Sequence, residues 1–459
     1  MKEQPLAGRT TRTNRDLTEG NIIKNMWHLA LPMMAGNLLH NVFNIVDMFF
    51  VGKLGPEAIA AVAMSGILLG VIWTGIMGVS VGTAAIVARF FGVRDFEGAD
   101  SVTTQSLLLG IFGSIPIAIF GYFLAEPILR LLGAQQEVLS LGISYLRIIS
   151  LGSITVFVYF VLSSALRGAG DAVTPLKILI LSTILNIILD PLFIFGLWGF
   201  PRWEVAGSAF ATVLSRGLGM IILLYLLLRG RSLLHISLKK VRLDFEIIWR
   251  ITRIGIFGSI QMLMWTISGL IFMRIVAIYG TFALAAYGIG MRIIFAVEMP
   301  GFGLAQATAT MVGQNLGAGK PKRAEKSVWI STGFYEIFMV VFAAVFFLWS
   351  QDVVKFFNSN PEVISMGGSY MRLVALSFVF IGLSIILGRA MMGAGDTLSP
   401  TVITGISLFL IRIPLALFLA QARELGPLGL WVGIAASNLA QGLFMTLWFT
   451  RGRWKNKVV

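Results

Sequence analysis

The 459-residue sequence contains no cysteine, only three histidines and few charged residues, 13% in all. Without cysteine there is no disulfide framework, no thiolate metal site and no cysteine nucleophile. Soluble proteins carry roughly 25% charged residues, so this chain has too little charge to cover a water-exposed globular surface. The motifs of soluble enzymes are also missing, including HExxH and paired histidines for a metal. We therefore expect neither enzymatic activity nor a bound cofactor.

Hydrophobic residues make up 57% of the chain, and the mean hydropathy is +0.85. This composition indicates a body embedded in a lipid bilayer. Apolar runs of about 20 residues cross a bilayer, and they do so as helices because backbone polar groups in lipid must be satisfied within the segment. We predict twelve such spans, at residues 25–51, 59–88, 101–123, 141–166, 174–197, 206–228, 254–279, 284–312, 328–349, 366–391, 400–420 and 428–450.

The net charge of +14 would suggest a nucleic-acid partner in a soluble protein, but beside membrane spans it indicates topology. When loops are assigned alternately to two sides, most of the 36 Lys and Arg residues lie on the side that holds both termini. Cytoplasmic loops are the ones enriched in Lys and Arg. We therefore expect a multi-pass protein of the plasma (cytoplasmic-type) membrane with both termini in the cytoplasm and no nucleic-acid partner. The opposite side has only Lys53, Arg130, Arg202, Lys355 and Arg423.

The two halves of the sequence align without gaps at a shift of 225 residues. Residues 165–175 (ALRGAGDAVTP) meet residues 390–400 (AMMGAGDTLSP) with six identities. Each half contains six predicted spans, an even number, so both halves enter the membrane in the same orientation. We predict an all-α membrane protein whose twelve transmembrane helices form two six-helix lobes related by a parallel internal repeat. Two such lobes are typical of transporters that expose a central cavity to each side in turn.

The predicted domain boundaries follow from these spans. They are a cytoplasmic N-terminal arm (1–24), an N-lobe (25–228), a cytoplasmic linker (229–253), a C-lobe (254–450) and a basic cytoplasmic tail (451–459).

Acidic residues are rare within the spans, where only Asp47, Asp190, Glu298 and Glu336 occur. An ionised carboxylate at the bilayer centre costs about 2.5–3.5 kcal/mol on insertion scales, so such residues are candidates for function. Helical spacing puts His40, Asn44 and Asp47 on one face of the first span.

The fifth span carries a second polar face, formed by Thr183, Asn186 and Asp190, and Pro191 follows directly. Two faces of Asn and Asp in one lobe predict an oxygen-lined site for a proton or a hard cation such as Na⁺. The alternative is a hydrogen-bonded polar pair that serves packing.

The C-lobe lacks these acids. At the shifted positions, Phe272 replaces Asp47 and Leu415 replaces Asp190, so the ion chemistry is predicted to be asymmetric. The C-lobe spans instead carry charges for which two interpretations remain open, an internal Glu–Arg pair or a gating and substrate-contact role. These residues are Arg274, Arg292, Glu298 and Arg412.

Several motifs resemble the multidrug and toxic compound extrusion (MATE) transporters. They are Leu29-Ala-Leu-Pro32, Val46-Asp47 before Phe50-Val51-Gly52, the repeated Gly-Ala-Gly-Asp, and Asn186-Ile-Ile-Leu-Asp190-Pro191. The last motif, together with Asp47, is similar to the DinF-like branch, whose cation site lies in the N-terminal lobe.

The resemblance implies a secondary active multidrug efflux antiporter that exports organic, often cationic, amphiphiles in exchange for H⁺ or Na⁺. It implies ion coupling at Asp47, Asn186 and Asp190, which would also hold Na⁺. The hydroxyl ligand of span six falls on Thr212, with Ser208 as the alternative register.

The resemblance also implies a conformational hinge at Pro32. Candidate substrate-cavity residues are His40, Asn44, Tyr145, Arg274, Arg292 and Glu298. The alternative function is a lipid-linked precursor flippase of the same broader superfamily. The arginines of the C-lobe are compatible with this alternative. We expect small organic molecules and the lipid bilayer as partners, and a monomer.

Overall fold

The computed structural model describes residues 16–237, 242–422 and 424–457. Within these ranges every regular element is a helix, which confirms the predicted all-α fold. Parts of the predicted arm, linker and tail, at residues 1–15, 238–241 and 458–459, lie outside the described residues, as does Arg423.

The helices of the first half begin soon after the described chain starts. They are α1 (Ile22–Gly52), α2 (Pro56–Gly92), α3 (Phe96–Leu131), α4 (Gln136–Leu151), α5 (Ser153–Ala169), α6 (Val173–Phe195) and α7 (Glu204–Leu228).

The second half follows the same order, with one additional short helix. Its helices are α8 (Phe245–Ala277), α9 (Thr281–Gly317), α10 (Pro321–Leu348), α11 (Ser350–Lys355), α12 (Pro361–Ala375), α13 (Phe378–Gly393), α14 (Leu398–Ala422) and α15 (Pro427–Thr450).

The number of spans agrees with the sequence prediction. Among the described residues, ten helices are long and apolar enough to cross a membrane, and counting each of two bent pairs as one span gives twelve. The bent pairs are α4–α5, with a bend of 48°, and α12–α13, with a bend of 55°. They correspond to the predicted spans 141–166 and 366–391, each of which therefore consists of two helices.

The two breaks fall at equivalent positions, Gly152 and Ser377, which are 225 residues apart in the sequence. Glycine has a low helix propensity because its backbone loses much freedom on folding. Ser377 donates a hydrogen bond from its hydroxyl to the carbonyl oxygen of Val374, 2.7 Å away. Such local bonds compete with the helical pattern, so both halves bend at the same place by different means.

α14 is irregular although its sequence is uniformly apolar. It contains π-helical turns at Ile406–Arg412 and Phe418–Ala422, on either side of a segment with Pro414. Proline lacks a backbone N–H and clashes with the preceding turn, and wider turns accommodate that disruption.

The repeated Gly-Ala-Gly-Asp motif forms the turns that follow α5 and α13. Gly170 and Gly395 adopt φ values of 96° and 89°, a left-handed conformation that side chains other than glycine rarely tolerate. The two aspartates then act differently. Asp171 accepts hydrogen bonds from the backbone N–H groups of Val173 and Thr174 at the start of α6. Asp396 accepts a hydrogen bond from the hydroxyl of Ser399. The motif is thus a scaffold element.

The two halves also share a contact between side chain and backbone. The Arg147 Nε donates to the carbonyl oxygen of Tyr122 over 3.3 Å, and the Arg372 Nε donates to that of Phe347 over 3.3 Å. Donors and acceptors are both related by the 225-residue shift. The repeat read from the sequence therefore has a counterpart in the local contacts of each half.

The chain divides by contacts into two compact units. The first is built on Ala35–Ile256, and the second on Gly20–Met34 and the chain from Phe257 onward. Residues 25–34, predicted as part of the N-lobe, thus group with the second unit. The start of α8, up to Ile256, groups with the first. The first helix of each half therefore begins in one unit and ends in the other.

Close helix approaches hold these exchanged segments within their units. In the first unit, Gly255 of α8 packs against the backbone of Gly78 on α2, where an added Cβ would lie 2.6 Å from the Gly78 oxygen. In the second unit, Gly303 of α9 packs against Met34 of α1, where an added Cβ would lie 2.7 Å from the Met34 nitrogen. Gly78 and Gly303 are themselves equivalent under the 225-residue shift.

Replacing the first glycine of each Gly-Ala-Gly-Asp motif tests whether close contact between helices stabilises both units. A Cβ at Gly168 or Gly393 would overlap the carbonyl oxygen of Ala84 or Ala309, respectively. Overpacking of this kind costs about 1–3 kcal/mol, so we expect Gly168→Ala and Gly393→Ala each to lower the unfolding temperature of the purified protein in detergent. Gly66→Ala is the control, because nothing lies within 4 Å of a Cβ at Gly66. Unchanged unfolding temperatures in both motif variants would contradict this account of the packing.

Candidate functional site

The first unit holds a carboxyl site formed by α1, α6 and α7. Asp47 on α1 is 8% exposed, and Asn186 and Asp190 on α6 are fully buried. Ser208 on α7 donates a hydrogen bond from its hydroxyl to Oδ1 of Asp47 over 2.6 Å. The two carboxyl groups interact electrostatically with each other. The structure thus brings together three of the predicted coupling residues.

Helical spacing on α6 positions the second carboxyl group. Asn186 and Asp190 are four residues apart and lie on one face, and Nδ2 of Asn186 donates to Oδ1 of Asp190 over 3.0 Å. Thr183 donates its hydroxyl hydrogen bond to the carbonyl oxygen of Leu179 instead. Pro191 lies inside α6, and its missing N–H leaves the carbonyl one turn earlier without its helical donor. The site is therefore rich in oxygen atoms.

Two buried oxygen atoms of the site have no hydrogen-bond partner among the described residues, namely Oδ1 of Asn186 and Oδ2 of Asp190. Leaving a buried acceptor unsatisfied costs about 1–3 kcal/mol. Amide and carboxylate oxygens are ligands of hard cations, and a carboxylate also accepts a proton. This donor set fits Na⁺ or a proton.

Tyr145 on α4, a candidate cavity residue, lies in the wall of the carboxyl site. It interacts electrostatically with both Asp47 and Asp190, and it is only 6% exposed. It packs in an apolar cluster with side chains from α1, α2, α6 and α7, including Val51, Val62 and Val205. The cluster places hydrocarbon one helical turn from each carboxyl group, at Val51 and at Ile194.

The hydroxyl group beside Asp47 belongs to Ser208, the alternative register of the sequence prediction. Thr212 lies one turn further along α7, and its carbonyl oxygen accepts a hydrogen bond from the hydroxyl of Ser215. The loop between α6 and α7 contains a short 3₁₀ turn, Leu197–Gly199. Because this loop is irregular, helical spacing alone does not predict which residue of α7 lies beside Asp47.

A second polar contact between α1 and α7 lies about two helical turns from the first. Nδ1 of His40 on α1 is 3.1 Å from an Nη atom of Arg216 on α7. The His40 ring stacks on Trp73 of α2, with centroids 5.4 Å apart and planes 8° apart. Asn44, between His40 and Asp47 on α1, is exposed.

Arg216 was not predicted as a site residue, because its contact with His40 depends on how α1 and α7 pair. One signal was present in the sequence. Arg216 follows Ser208 by eight residues, which places both on the same face of a helix.

In the second unit, aromatic rings occupy the positions that correspond to Asp47 and Tyr145. Phe272, the counterpart of Asp47, packs against Tyr287 with ring centroids 5.6 Å apart. Tyr370, the counterpart of Tyr145, packs edge-on against Trp431 at 4.8 Å. Rings therefore stand where the first unit has Asp47 and its tyrosine neighbour.

The charged candidates of the second unit do not form one cluster. Arg412 donates from Nε to Ser437 over 3.0 Å and from Nη2 to Asn438 over 2.9 Å. It also interacts electrostatically with Glu298. Arg274 and Arg292 are exposed.

Glu336 on α10 has two buried carboxyl oxygens without a hydrogen-bond partner among the described residues. It packs over Gly382 of α13, where an added Cβ would lie 2.5 Å from Oε1. The glycine therefore makes room for the carboxyl group.

The family model described as MatE matches residues 32–192 and 259–418, one stretch in each half. The chain belongs to the MatE family. Two relatives are similar over nearly their whole length. The "Probable multidrug resistance protein NorM" of Thermotoga maritima is 29% identical over 442 residues, covering 95% of this chain and 94% of the relative. The "Probable multidrug resistance protein YpnP" of Bacillus subtilis is 30% identical over 442 residues, covering 96% and 97%.

A solved structure supports the same assignment. "Outward-facing conformation of a multidrug resistance MATE family transporter of the MOP superfamily" aligns with a TM-score of 0.86 and 28% identity, covering 95% of this chain and 97% of that chain. The resemblance to MATE transporters is thus confirmed, and this MatE-family chain is a multi-pass membrane protein. The first matched stretch includes Asp47, Asn186 and Asp190 and ends before Ser208.

The hydrogen bond from Ser208 can be tested by stability. Removing the hydroxyl leaves the buried Asp47 carboxyl without this donor, which costs about 1–3 kcal/mol. We expect Ser208→Ala to lower the unfolding temperature of the purified protein in detergent, and Thr212→Ala to change it less. A larger effect of Thr212→Ala than of Ser208→Ala would contradict the assignment of the stabilising hydroxyl to Ser208.

Proposed function

We propose that this MatE-family protein is a secondary active exporter of organic, often cationic, amphiphilic compounds, driven by the inward movement of H⁺ or Na⁺. The observation that carries the proposal is the buried pair Asp47 and Asp190, beside which Oδ2 of Asp190 and Oδ1 of Asn186 have no hydrogen-bond partner among the described residues. Both relatives and the solved transporter bear names that refer to multidrug resistance. Within the family, the Asn186-to-Pro191 motif supports membership of the DinF-like branch.

Ion binding would act on the site through its unsatisfied oxygens. A proton or Na⁺ at Asp190 and Asn186 would reduce the electrostatic repulsion of Asp47 and alter how α1 packs against α6 and α7. A ligand shifts a conformational equilibrium only through different affinity for the two states. The ion therefore drives export because it prefers a conformation in which the compound is held less tightly.

Pro32 is the proposed hinge of α1. It lies inside the continuous helix Ile22–Gly52, and the residues up to Met34 group with the second unit while those from Ala35 group with the first. Proline removes one helical hydrogen bond and so provides a place where a helix bends. A bend there would change the position of Asp47 while the segment around Met26 stays packed in the second unit.

We place the protein in the plasma membrane as a monomer with both termini in the cytoplasm, because Lys and Arg are concentrated on that side. Its partners would be small organic molecules and the lipid bilayer, with no cofactor beyond the coupling ion and no enzymatic step.

A lipid-linked precursor flippase would need free basic groups for a pyrophosphate. In the second unit, Arg412 already donates to Ser437 and Asn438, whereas Arg274 and Arg292 are exposed. Two of the three arginines therefore remain as basic groups for this alternative. Transport of such a lipid, with no export of dyes, would favour it.

Reconstituted protein tests both the export and its coupling. Liposomes that contain the purified protein and an ethidium-type dye would be given a pH gradient or a Na⁺ gradient separately. We expect one gradient to drive dye transport. We expect Asp47→Asn and Asp190→Asn to abolish the driven transport, because neither amide binds a proton in the carboxyl's place or carries its charge, while the amount of reconstituted protein stays the same.

Glu336→Gln is the matched control, since it neutralises a membrane acid of the second unit. We expect driven transport within about twofold of wild type. Full coupling in both aspartate variants, or equal loss in Glu336→Gln, would contradict ion coupling in the first unit.

The hinge predicts a rate effect. Pro32→Ala restores the N–H that helical hydrogen bonding requires, so we expect slower dye transport with unchanged dye affinity, measured in the same liposomes and by equilibrium binding. A wild-type transport rate would remove Pro32 from the mechanism.

A further inference from the structure

Arg216 is a buried cation in the first unit without a carboxylate partner. The residue is only 3% exposed. In the described part of the chain, it forms no ion pair with a carboxylate. The guanidinium carbon lies 4.2 Å from the Phe43 ring centroid, 5.5 Å from that of Tyr159 and 5.6 Å from that of Phe160. Aromatic faces stabilise a cation, but they do not satisfy its N–H donors.

The hydrogen-bond donors of Arg216 are only partly used. One Nη atom contacts His40, and the guanidinium also interacts with the Tyr159 hydroxyl. Nη1 is buried and has no hydrogen-bond partner among the described residues. A planar guanidinium is suited to two parallel hydrogen bonds to one carboxylate, and here that arrangement is incomplete.

The contact with His40 defines the state of the imidazole ring. Arginine only donates hydrogen bonds, so Nδ1 of His40 accepts, and the neutral ring carries its hydrogen on Nε2. A neutral imidazole is a weaker partner for a guanidinium than a carboxylate is. An incoming carboxylate would therefore compete successfully with His40 for Arg216.

Arg412 shows how a structural guanidinium is satisfied in this chain. In the second unit it donates to the hydroxyl of Ser437 and the amide oxygen of Asn438, and Asn438 in turn donates to Ser377 over 3.1 Å. Arg216 has the Tyr159 hydroxyl and the His40 ring beside it, but its Nη1 has no hydrogen-bond partner among the described residues. The difference indicates that the free donor of Arg216 serves a ligand.

The surroundings of Arg216 also suit a flat aromatic molecule. His40 and Trp73 are stacked and only partly buried. Phe160 stands edge-on to Trp73, with centroids 4.5 Å apart. Planar rings pack well on such surfaces. An aromatic body on this stack would bring an attached acidic group to Arg216.

We propose that Arg216, together with the His40–Trp73 stack, forms a subsite for the carboxylate of an aromatic compound. The compound counts as a substrate only if the proposed export function holds; the subsite itself is a binding property. Carboxylate binding would release His40 from Arg216, and with it the second contact between α1 and α7. Zwitterionic aromatic compounds would then be preferred over otherwise identical cations.

A matched pair of dyes tests this preference directly. Rhodamine 110 carries a free carboxylate, and rhodamine 123 is its methyl ester. Their affinities for the purified full-length protein would be measured by fluorescence anisotropy in detergent. A charge-assisted hydrogen-bonded pair supports a preference of about tenfold for rhodamine 110. Equal affinities of the wild-type protein for the two dyes would overturn the proposal.

Two variants test whether Arg216 and His40 cause the preference for rhodamine 110. We expect Arg216→Gln to reduce the ratio of the two affinities to about one by weakening rhodamine 110 alone. His40→Phe keeps a ring on Trp73 but removes the competing acceptor, so it should strengthen rhodamine 110 binding. A purely structural role for Arg216 would not produce this gain. Weaker rhodamine 110 binding in His40→Phe, or an unchanged ratio in Arg216→Gln, would overturn the proposal.

Arg412→Gln is the matched control for loss of a buried guanidinium, and we expect it to leave the dye ratio unchanged. A ratio of one in that variant would overturn the assignment to Arg216. The measurement also separates this proposal from the proposed function. A carboxylate preference without dye transport under any gradient would leave the subsite in place and remove the exporter.

Discussion

A carboxyl group in a hydrocarbon layer needs a partner, and the candidate site follows from that requirement. Hydrocarbon offers no hydrogen bonds, so the buried Asp47 and Asp190 depend on the few polar groups that neighbouring helices provide. Ser208 and Asn186 each supply one donor, and oxygen atoms remain that no described group satisfies. The helices around the site pack through an apolar cluster that includes Val51, Val62 and Ile194. A bound ion therefore acts on helices that offer few other polar partners nearby.

The asymmetry of the two halves has the same physical basis. Where the first unit has Asp47 beside Tyr145, the second has Phe272 and Tyr370 in a group of rings with Tyr287 and Trp431. Rings and aliphatic side chains fill space without needing hydrogen bonds, so the scaffold survives the exchange of Asp47 for Phe272 and of Asp190 for Leu415. The glycines that set helix contacts, such as Gly168 and Gly393, are retained in both halves. Packing and ion chemistry therefore depend on separate sets of residues.

Much of the fold could be predicted because long apolar runs in lipid leave few alternatives to helices. The bends at Gly152 and Ser377 were not predicted, since hydropathy continues through them. Within the site, Asn186 and Asp190 are one helical turn apart, so their spacing in the sequence was enough to predict that they lie together. Ser208 required knowledge of the register after the loop at 197–203. Arg216 required the pairing of α1 with α7, which no local pattern contains. Contacts between helices distant in the sequence are thus the part that composition and periodicity do not supply.

The first helix of each half begins in one unit and ends in the other. A chain cut in the linker would therefore yield two incomplete pieces. The front piece would lose the start of α8, with the Gly255 contact that completes the first unit, and the rear piece would lose the segment up to Met34.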